Sequence, residues 1–309
     1  MNCPITYEPI TGEIRYSTKG LHLFAPTLAD LRDIPYSAQE QRREAVERSA
    51  KMSIQGVQPK LSAVLNVNQE RFDIVDSGGV YILKPQSALY PELPENEDLA
   101  MRLAAAAGIE TPLHALIYAR DSSLTYVVKR FDRASRGRKY ALEDFAQLLG
   151  RNRDTKYDSS MEQVADVLER YCTFPMVEKM KLLKLTIVNF LIGNEDAHLK
   201  NFSLIARDGN YELSPAYDIV NSTIAMQKAA EEIALPLRGK KRGITRKMLL
   251  HYYALERLGL PPVVVQRVIG EITAAFPRWQ ELIGESFLSA PFKKKFSALV
   301  QVRRKTLAL

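Results

Sequence analysis

The sequence predicts an α+β fold in which a small β-rich N-terminal lobe precedes a larger, mainly helical C-terminal lobe. Two observations carry that expectation. Between Ala63 and Asp132 the apolar residues come in short runs separated by turn residues, as in antiparallel strands. From Glu143 onward they recur at helical spacing in longer runs. Strands first and helices afterwards is an α+β order, and the change of pattern divides the chain into residues 1–132 and 133–309. A chain of 309 residues can hold one large bilobed domain or two ordinary ones.

The elements follow in order. Residues 3–7 and 16–20 read as turns and short extended pieces, and residues 38–51 as a charged helix. Strands are expected over 63–67, 71–75 and 80–84, the last two separated by the turn Asp76-Ser77-Gly78-Gly79. Alternation along the third strand puts Ile82 and Lys84 on one face, so Lys84 leaves a partly apolar surface. A lysine there needs a charge partner, which a nucleotide phosphate would supply; the plainer reading is an edge lysine that discourages aggregation. Residues 94–108 form a helix with Asn96 as N-cap and Gly108 as its stop. Glu97 or Asp98 in its first turn either pairs with Lys84 or complements the helix dipole. Strands over 116–118 and 124–132 complete the sheet, and the second runs into a hinge. There the backbone of Lys129, Arg130 and Phe131 is a candidate adenine contact. Helices are expected over 143–149, 160–171, 177–191, 245–258, 263–276 and 280–288.

The chemistry concentrates in residues 192–201 (IGNEDAHLKN). Asp196 is followed five positions on by Asn201, and seventeen further on by Asp218. Protein kinases space an Asp that positions the attacking hydroxyl and a magnesium-binding Asn in the same way, with a later Asp on the metal. The flanks agree with that use. An apolar run at 180–192 would deliver the loop on a buried helix, and runs at 202–206 and 211–213 flank Arg207-Asp208-Gly209-Asn210 as a hairpin before Asp218. The catalytic candidates are therefore Asp196, His198, Lys200 and Asn201, with Asn201 and Asp218 on Mg²⁺. The bland alternative is that Asp196 and Asn201 only cap a loop. Upstream, Gly56 is the only glycine between residues 21 and 77. A three-glycine phosphate loop is thus absent, though Gly56, Val57 and Gln58 could still place N–H groups on phosphate in one tight turn.

Composition bounds the class. The chain is 46% hydrophobic and 26% charged, as soluble globular proteins are. No run approaches a membrane span and no leader pattern opens the chain. Two cysteines make no disulfide framework and favour a reducing cytoplasm, and four histidines offer no zinc-ligand spacing. The net charge of +7 gathers at 238–247, 293–295 and 303–305. Such runs read as a solvated face, with contact to nucleic acid, directly or through a bound partner, as the sharper alternative.

Seven blocks together resemble one family. They are residues 53–62 (SIQGVQPKLS), 81–85 (YILKP), 94–97 (PENE), 127–133 (VVKRFDR), 143–147 (EDFAQ), 193–203 (GNEDAHLKNFS) and 213–218 (LSPAYD). In that order they are similar to the HipA-like serine/threonine kinases, toxins of bacterial toxin–antitoxin systems. The resemblance implies a bilobed, protein-kinase-like fold that uses ATP and Mg²⁺, with Asp196 catalytic and Lys84 on the ATP phosphates. It implies autophosphorylation near the glycine-containing loop, at Ser53 with Ser62 the poorer match; Gln55 stands where some relatives carry a second serine. About fifty residues before that loop look like the short branch, HipT, which implies a HipS-like small antitoxin and a HipB-like DNA-binding partner. The implied substrate is an aminoacyl-tRNA synthetase, tryptophanyl for the short branch. The competing readings are an aminoglycoside-type small-molecule phosphotransferase, which shares Asp-x-His-x-x-Asn, and a degenerate, non-enzymatic kinase fold.

Overall fold

The computed structural model describes residues 1–48, 58–134, 138–226 and 231–309. Contacts within the chain divide it into two compact units. The first comprises Met1–Leu99, Pro112–Gly137 and Gly284–Leu288, and the second Ala100–Thr111, Arg138–Ile283 and Ser289–Leu309.

The first unit is built on five antiparallel strands: β1 (Leu61–Asn66), β2 (Arg71–Ile74), β3 (Tyr81–Lys84), β4 (His114–Tyr118) and β5 (Leu124–Lys129). Their order across the sheet is β2-β1-β3-β5-β4, so β3 is central and Lys84 is not an edge residue. In register, Leu83 faces Leu61 on one side and Val127 on the other, and all three are fully buried. The N-terminal residues close one face of this sheet. Helix α1 (Thr18–Phe24) starts where the Ser17 hydroxyl accepts the Gly20 N–H at 3.1 Å. Its Leu21 and Phe24 join Cys3, Ile5, Leu28 and Leu31 in one apolar cluster with the strands. Phe24, Phe72 and Tyr81 pack with ring centroids 5.2–5.8 Å apart. Residues 18–20, within the 16–20 stretch that the sequence suggests is turn or short extended structure, are thus helical; seven residues carry too short a period to announce a helix. Helix α2 (Ala38–Arg48) follows, and α3 (Leu93–Ala106) begins in this unit and continues into the second.

The second unit is helical around α6 (Pro175–Ile192), which buries every residue from Leu182 to Ile192. Before it come β6 (Leu142–Asp144), α4 (Phe145–Leu148) and α5 (Met161–Tyr171). After it come β7 (Ser203–Arg207), β8 (Asn210–Leu213) and α7 (Ser222–Ala225). Strands β7 and β8 form the expected hairpin around Asp208 and Gly209, whose φ of 48° and 83° suit a two-residue loop with both residues left-handed. Strand β6 adds itself antiparallel to β7. A π-helix over Lys247–Arg257 leads into α8 (Pro262–Glu285) and α9 (Ala290–Leu307).

Two expectations need correction here. Helix α8 does not break at Pro277. Phe276 and Trp279 on either side are buried with ring centroids 5.4 Å apart, and the Trp279 indole donates to the Leu103 carbonyl at 2.8 Å. That burial offsets the roughly 3 kcal/mol a mid-helix proline costs. The basic run at 303–305 is also not simply a solvated face. It lies on α9, with Arg303 buried against the Phe190 ring and 2.9 Å from Glu232. Among the described residues no helix is long and apolar enough to cross a membrane.

Candidate active site

The loop that carries Asp196 begins where α6 is stopped. Gly193 caps the helix with φ 81°, a left-handed conformation that favours glycine, and a Cβ there would overlap Leu299 Cδ2 and approach Thr223 Oγ1 to 2.8 Å. The Asn194 N–H returns to the Asn189 carbonyl at 2.9 Å, and Asn194 Oδ1 then accepts the Asp196 N–H at 3.2 Å. Glu195 is fastened by its N–H to Ser222 Oγ at 2.7 Å. Asp196 itself is exposed, held at the surface by a backbone whose polar groups are satisfied beneath it.

The remaining loop residues interlock. Asn201 Oδ1 accepts the His198 N–H at 3.0 Å, and the Asn201 N–H donates to the His198 carbonyl at 2.9 Å. Lys200 is committed to an ion pair with Asp144 at 2.7 Å, and its carbonyl accepts the Tyr217 hydroxyl at 2.8 Å. Tyr217 Oη also lies 2.6 Å from Ser203 Oγ, so the residue preceding Asp218 is tied to both the loop and the hairpin. Asp218 has φ 55°, uncommon for a non-glycine residue. The structure therefore gathers Asp196, His198, Lys200, Asn201 and Asp218 within the second unit.

Two residues that spacing did not suggest belong to this group. The Tyr157 hydroxyl donates to Asp196 Oδ1, and the Lys156 ammonium lies 2.7 Å from His198 Nε2. The Lys156 carbonyl accepts the Leu199 N–H at 3.2 Å. An ammonium only donates, so Nε2 is the acceptor and the neutral ring carries its proton on Nδ1. That Nδ1 is buried with no hydrogen-bond partner among the described residues. Burial pushes the imidazole below its ordinary value; Asp196 and Asp218 oppose that and Lys156 reinforces it. Burial and the bond to Asp196 raise the Tyr157 phenol, so it remains a donor. No local sequence signal marks either residue, since they precede the loop by some forty positions.

In the first unit, Lys84 is 2.5 Å from Glu97 Oε1, and each side chain is only 4% exposed. Of the two acids proposed from sequence, Glu97 is the partner, while Asp98 bonds His114 Nδ1 at 2.7 Å. Lys84 Nζ also lies 5.6 Å from the Tyr126 ring centroid. The hinge candidates are partly spoken for. The Lys129 N–H donates to the Leu113 carbonyl and the Arg130 N–H to the Val80 carbonyl, both at 2.8 Å. The Arg130 side chain holds Asp132 at 2.8 Å, Phe131 is half-buried and Lys129 is exposed. Ser53, Gly56 and Val57 lie outside the described residues; Gln58 is described and half-buried. Ser62 is buried in β1.

The donor set of the loop suits magnesium. Asn201 Oδ1 spends one lone pair on the His198 N–H and keeps the other, and Asp218 adds a carboxylate. Mg²⁺ takes hard oxygen ligands, commonly one or two from protein and the rest from phosphate and water. Among the described residues no cluster of three or more His, Cys, Asp or Glu forms a cage. The fit is thus to an ion shared with a phosphate rather than one enclosed by protein.

Comparison with known proteins places the chain in a family. Residues 52–280 match the HipA-like C-terminal domain family. A Haemophilus influenzae protein named "Putative kinase" is 28% identical over 98% of this chain and 93% of its own length. The Shewanella oneidensis serine/threonine-protein kinase toxin HipA is 29% identical over 55% of this chain and 43% of its own length. Against two Sinorhizobium fredii relatives the chain spans about half their length, 48% and 59%. In solved structures, HipA of the Shewanella oneidensis HipA–HipB–operator DNA complex superposes with a TM-score of 0.69 at 22% identity, covering 91% of this chain and 74% of that one. The Helicobacter pylori proinflammatory kinase CtkA superposes at 0.57 with 14% identity, covering 84% and 91%. The fold is therefore the mixed α/β fold of HipA and CtkA, and the chain belongs to the HipA-like C-terminal domain family.

Proposed function

We propose that this chain is an ATP-dependent serine/threonine protein kinase that serves as the toxin of a bacterial toxin–antitoxin system. The observation that carries the reading is the stopped helix α6 presenting Asp196 beside an interlocked His198–Asn201 turn and a left-handed Asp218. Family membership and the kinase names of the relatives support it.

In this mechanism Asp196 orients a serine or threonine hydroxyl of the acceptor protein and receives its proton. Lys84, held by Glu97, binds nucleotide phosphate oxygens, and the 129–131 segment meets the adenine. Asn201 and Asp218 would hold Mg²⁺, which supplies positive charge to the phosphates when bound. His198 stays neutral and fixes Asn201 through its backbone N–H; Lys200 anchors the turn to Asp144.

The finer expectations belong to the same proposal. The chain is of the HipT-like short branch, works in the cytoplasm with a HipB-like DNA-binding partner and a HipS-like antitoxin, and meets DNA only through that partner. The Shewanella HipA structure, a complex with HipB and operator DNA, supports the HipB-like partner. Its substrate is an aminoacyl-tRNA synthetase, tryptophanyl in preference to glutamyl, whose phosphorylation halts translation and promotes persistence. Autophosphorylation of Ser53 would add about −1.5 to −2 charge near the nucleotide phosphates and repel them. The test is a phosphoproteome comparison of cells expressing this chain or its Asp196→Asn variant. A synthetase peptide phosphorylated only with the parent chain is expected; phosphorylated small molecules without any labelled protein would favour an aminoglycoside-type enzyme. If Ser53→Ala leaves both phosphate content and toxicity unchanged, the switch is wrong.

A further inference from the structure

Several buried and half-buried lysines of this protein pair with a carboxylate. Lys84 pairs with Glu97, Lys179 with Glu169, Lys184 with Glu271, Lys200 with Asp144 and Lys241 with Glu231. Lys156 does not. Half-buried, it has no carboxylate within ion-pair distance among the described residues and rests on the neutral imidazole of His198 at 2.7 Å. Its ammonium lies 5.0 Å from the Tyr157 ring centroid, and Lys241, itself paired with Glu231, approaches the same ring at 5.9 Å. The Tyr157 hydroxyl meanwhile occupies Asp196 Oδ1. Beside it, His198 is 7% exposed and its Nδ1 is buried without a hydrogen-bond partner among the described residues. A cation with spare donors next to an unsatisfied buried N–H is a set of donors that the oxygens of an anion would satisfy.

We infer that Lys156 is a phosphoryl-contacting residue of this site, with Tyr157 positioning Asp196 beside it. The inference rests on the kinase reading above and extends it to two residues outside the Asp-to-Asn loop. In the transfer, the bond between the γ-phosphorus and its bridging oxygen to the β-phosphate breaks and ADP leaves with that electron pair. A bond forms between the acceptor hydroxyl oxygen and phosphorus, and the hydroxyl proton passes to the free oxygen of Asp196. Lys156 neither gives nor takes a proton. Its ammonium meets the non-bridging oxygens, where charge spreads as the group transfers. Three links from two consecutive residues, to Asp196, His198 and Leu199, hold the ammonium in register with the acid.

The test uses the full chain with Mg²⁺ and compares Lys156→Gln and Lys156→Arg with the parent. Steady-state phosphate transfer should fall about 100-fold in kcat for Lys156→Gln, with KM for ATP changing less than about threefold, since the contact strengthens only in the transition state. Lys156→Arg should recover most of the loss. Calorimetric titration adds a readout that a structural role would not move. Lys156→Gln should bind ADP as the parent does and lose the extra affinity for ADP with fluoroaluminate, a stand-in for the transferring group. Unchanged kcat in Lys156→Gln, or unchanged fluoroaluminate affinity, overturns the inference while leaving the kinase reading intact. A loss of ADP affinity equal to the loss in rate assigns Lys156 a structural role and also overturns it. A parent chain that neither binds nucleotide nor transfers phosphate overturns the kinase reading, and this inference with it.

Discussion

Lys84 in the first unit and the Asp196 loop in the second solve the same problem, holding a charge in place, by opposite means. Lys84 and Glu97 neutralise each other in a nearly dry setting, each side chain 4% exposed. Asp196 stands at the surface, oriented by a phenol, while the nearby Lys156 leans on a neutral ring. The first arrangement is self-contained: each charge is costly without the other. The second leaves Asp196 exposed and Lys156 without a carboxylate partner among the described residues. The difference teaches that this protein holds one charge by pairing it inside a unit and another by a single phenol at the surface.

The comparison breaks most readily at its reactive end. Asp196→Asn should lower phosphate transfer by as much as about 10⁴-fold while leaving the denaturation midpoint nearly unchanged. Radiolabelled transfer together with thermal melting would check both halves, and a large loss of stability would erase the contrast. At the other end, Lys84→Met strands a buried carboxylate and should cost about 3–5 kcal/mol in urea unfolding. Adding Glu97→Leu to that variant should recover most of the stability but none of the nucleotide affinity. Stability still lost in the double variant would mean that the pair itself stabilises the unit.

A third prediction sharpens the dry side. Glu95 is 7% exposed, and burial raises its carboxyl from 4.5 to about 7 despite the Gln86 amide at 2.7 Å. The folded state therefore favours the protonated acid. Its contribution is complete below pH 4.5 and is lost as pH rises through about 7, an effect of about 3 kcal/mol from a shift of that size at 1.36 kcal/mol per pH unit. Unfolding free energies measured from pH 4 to 8 should show that decline in the parent and lack it in Glu95→Gln. The smallest effect concerns positioning. Tyr157→Phe removes one hydrogen bond from Asp196 and should cost about tenfold in kcat, near the upper value for such a bond, with KM for ATP unchanged. An equal loss in nucleotide affinity would argue for general loosening of the loop instead.

Much of the fold was legible because its signals are local. Strand β3 announced itself by alternation, the β7–β8 turn by Asp208-Gly209, and α6 by its apolar run at helical spacing. Asp196, Asn201 and Asp218 were singled out by spacing, and the choice between Glu97 and Asp98 needed only side-chain direction on α3. Other features depended on what lies across the unit. Helix α9 was read as basic runs because its buried positions, Phe296, Val300, Arg303 and Leu307, keep helical spacing with an arginine among them. The break expected at Pro277 failed because Phe276 and Trp279 bury together across it. Lys156 and Tyr157 were invisible for a related reason: a contact spanning about forty residues has no period.

Gly193 has a further consequence. The family match ends at residue 280, yet the side chain that leaves no room for a Cβ at Gly193 belongs to Leu299, on α9. The wall behind the Asp196 loop is thus contributed by sequence beyond the stretch that the family model matches. Trimming the protein to residues 52–280 would remove that wall, so the loop's geometry answers to a helix that lies outside the matched domain.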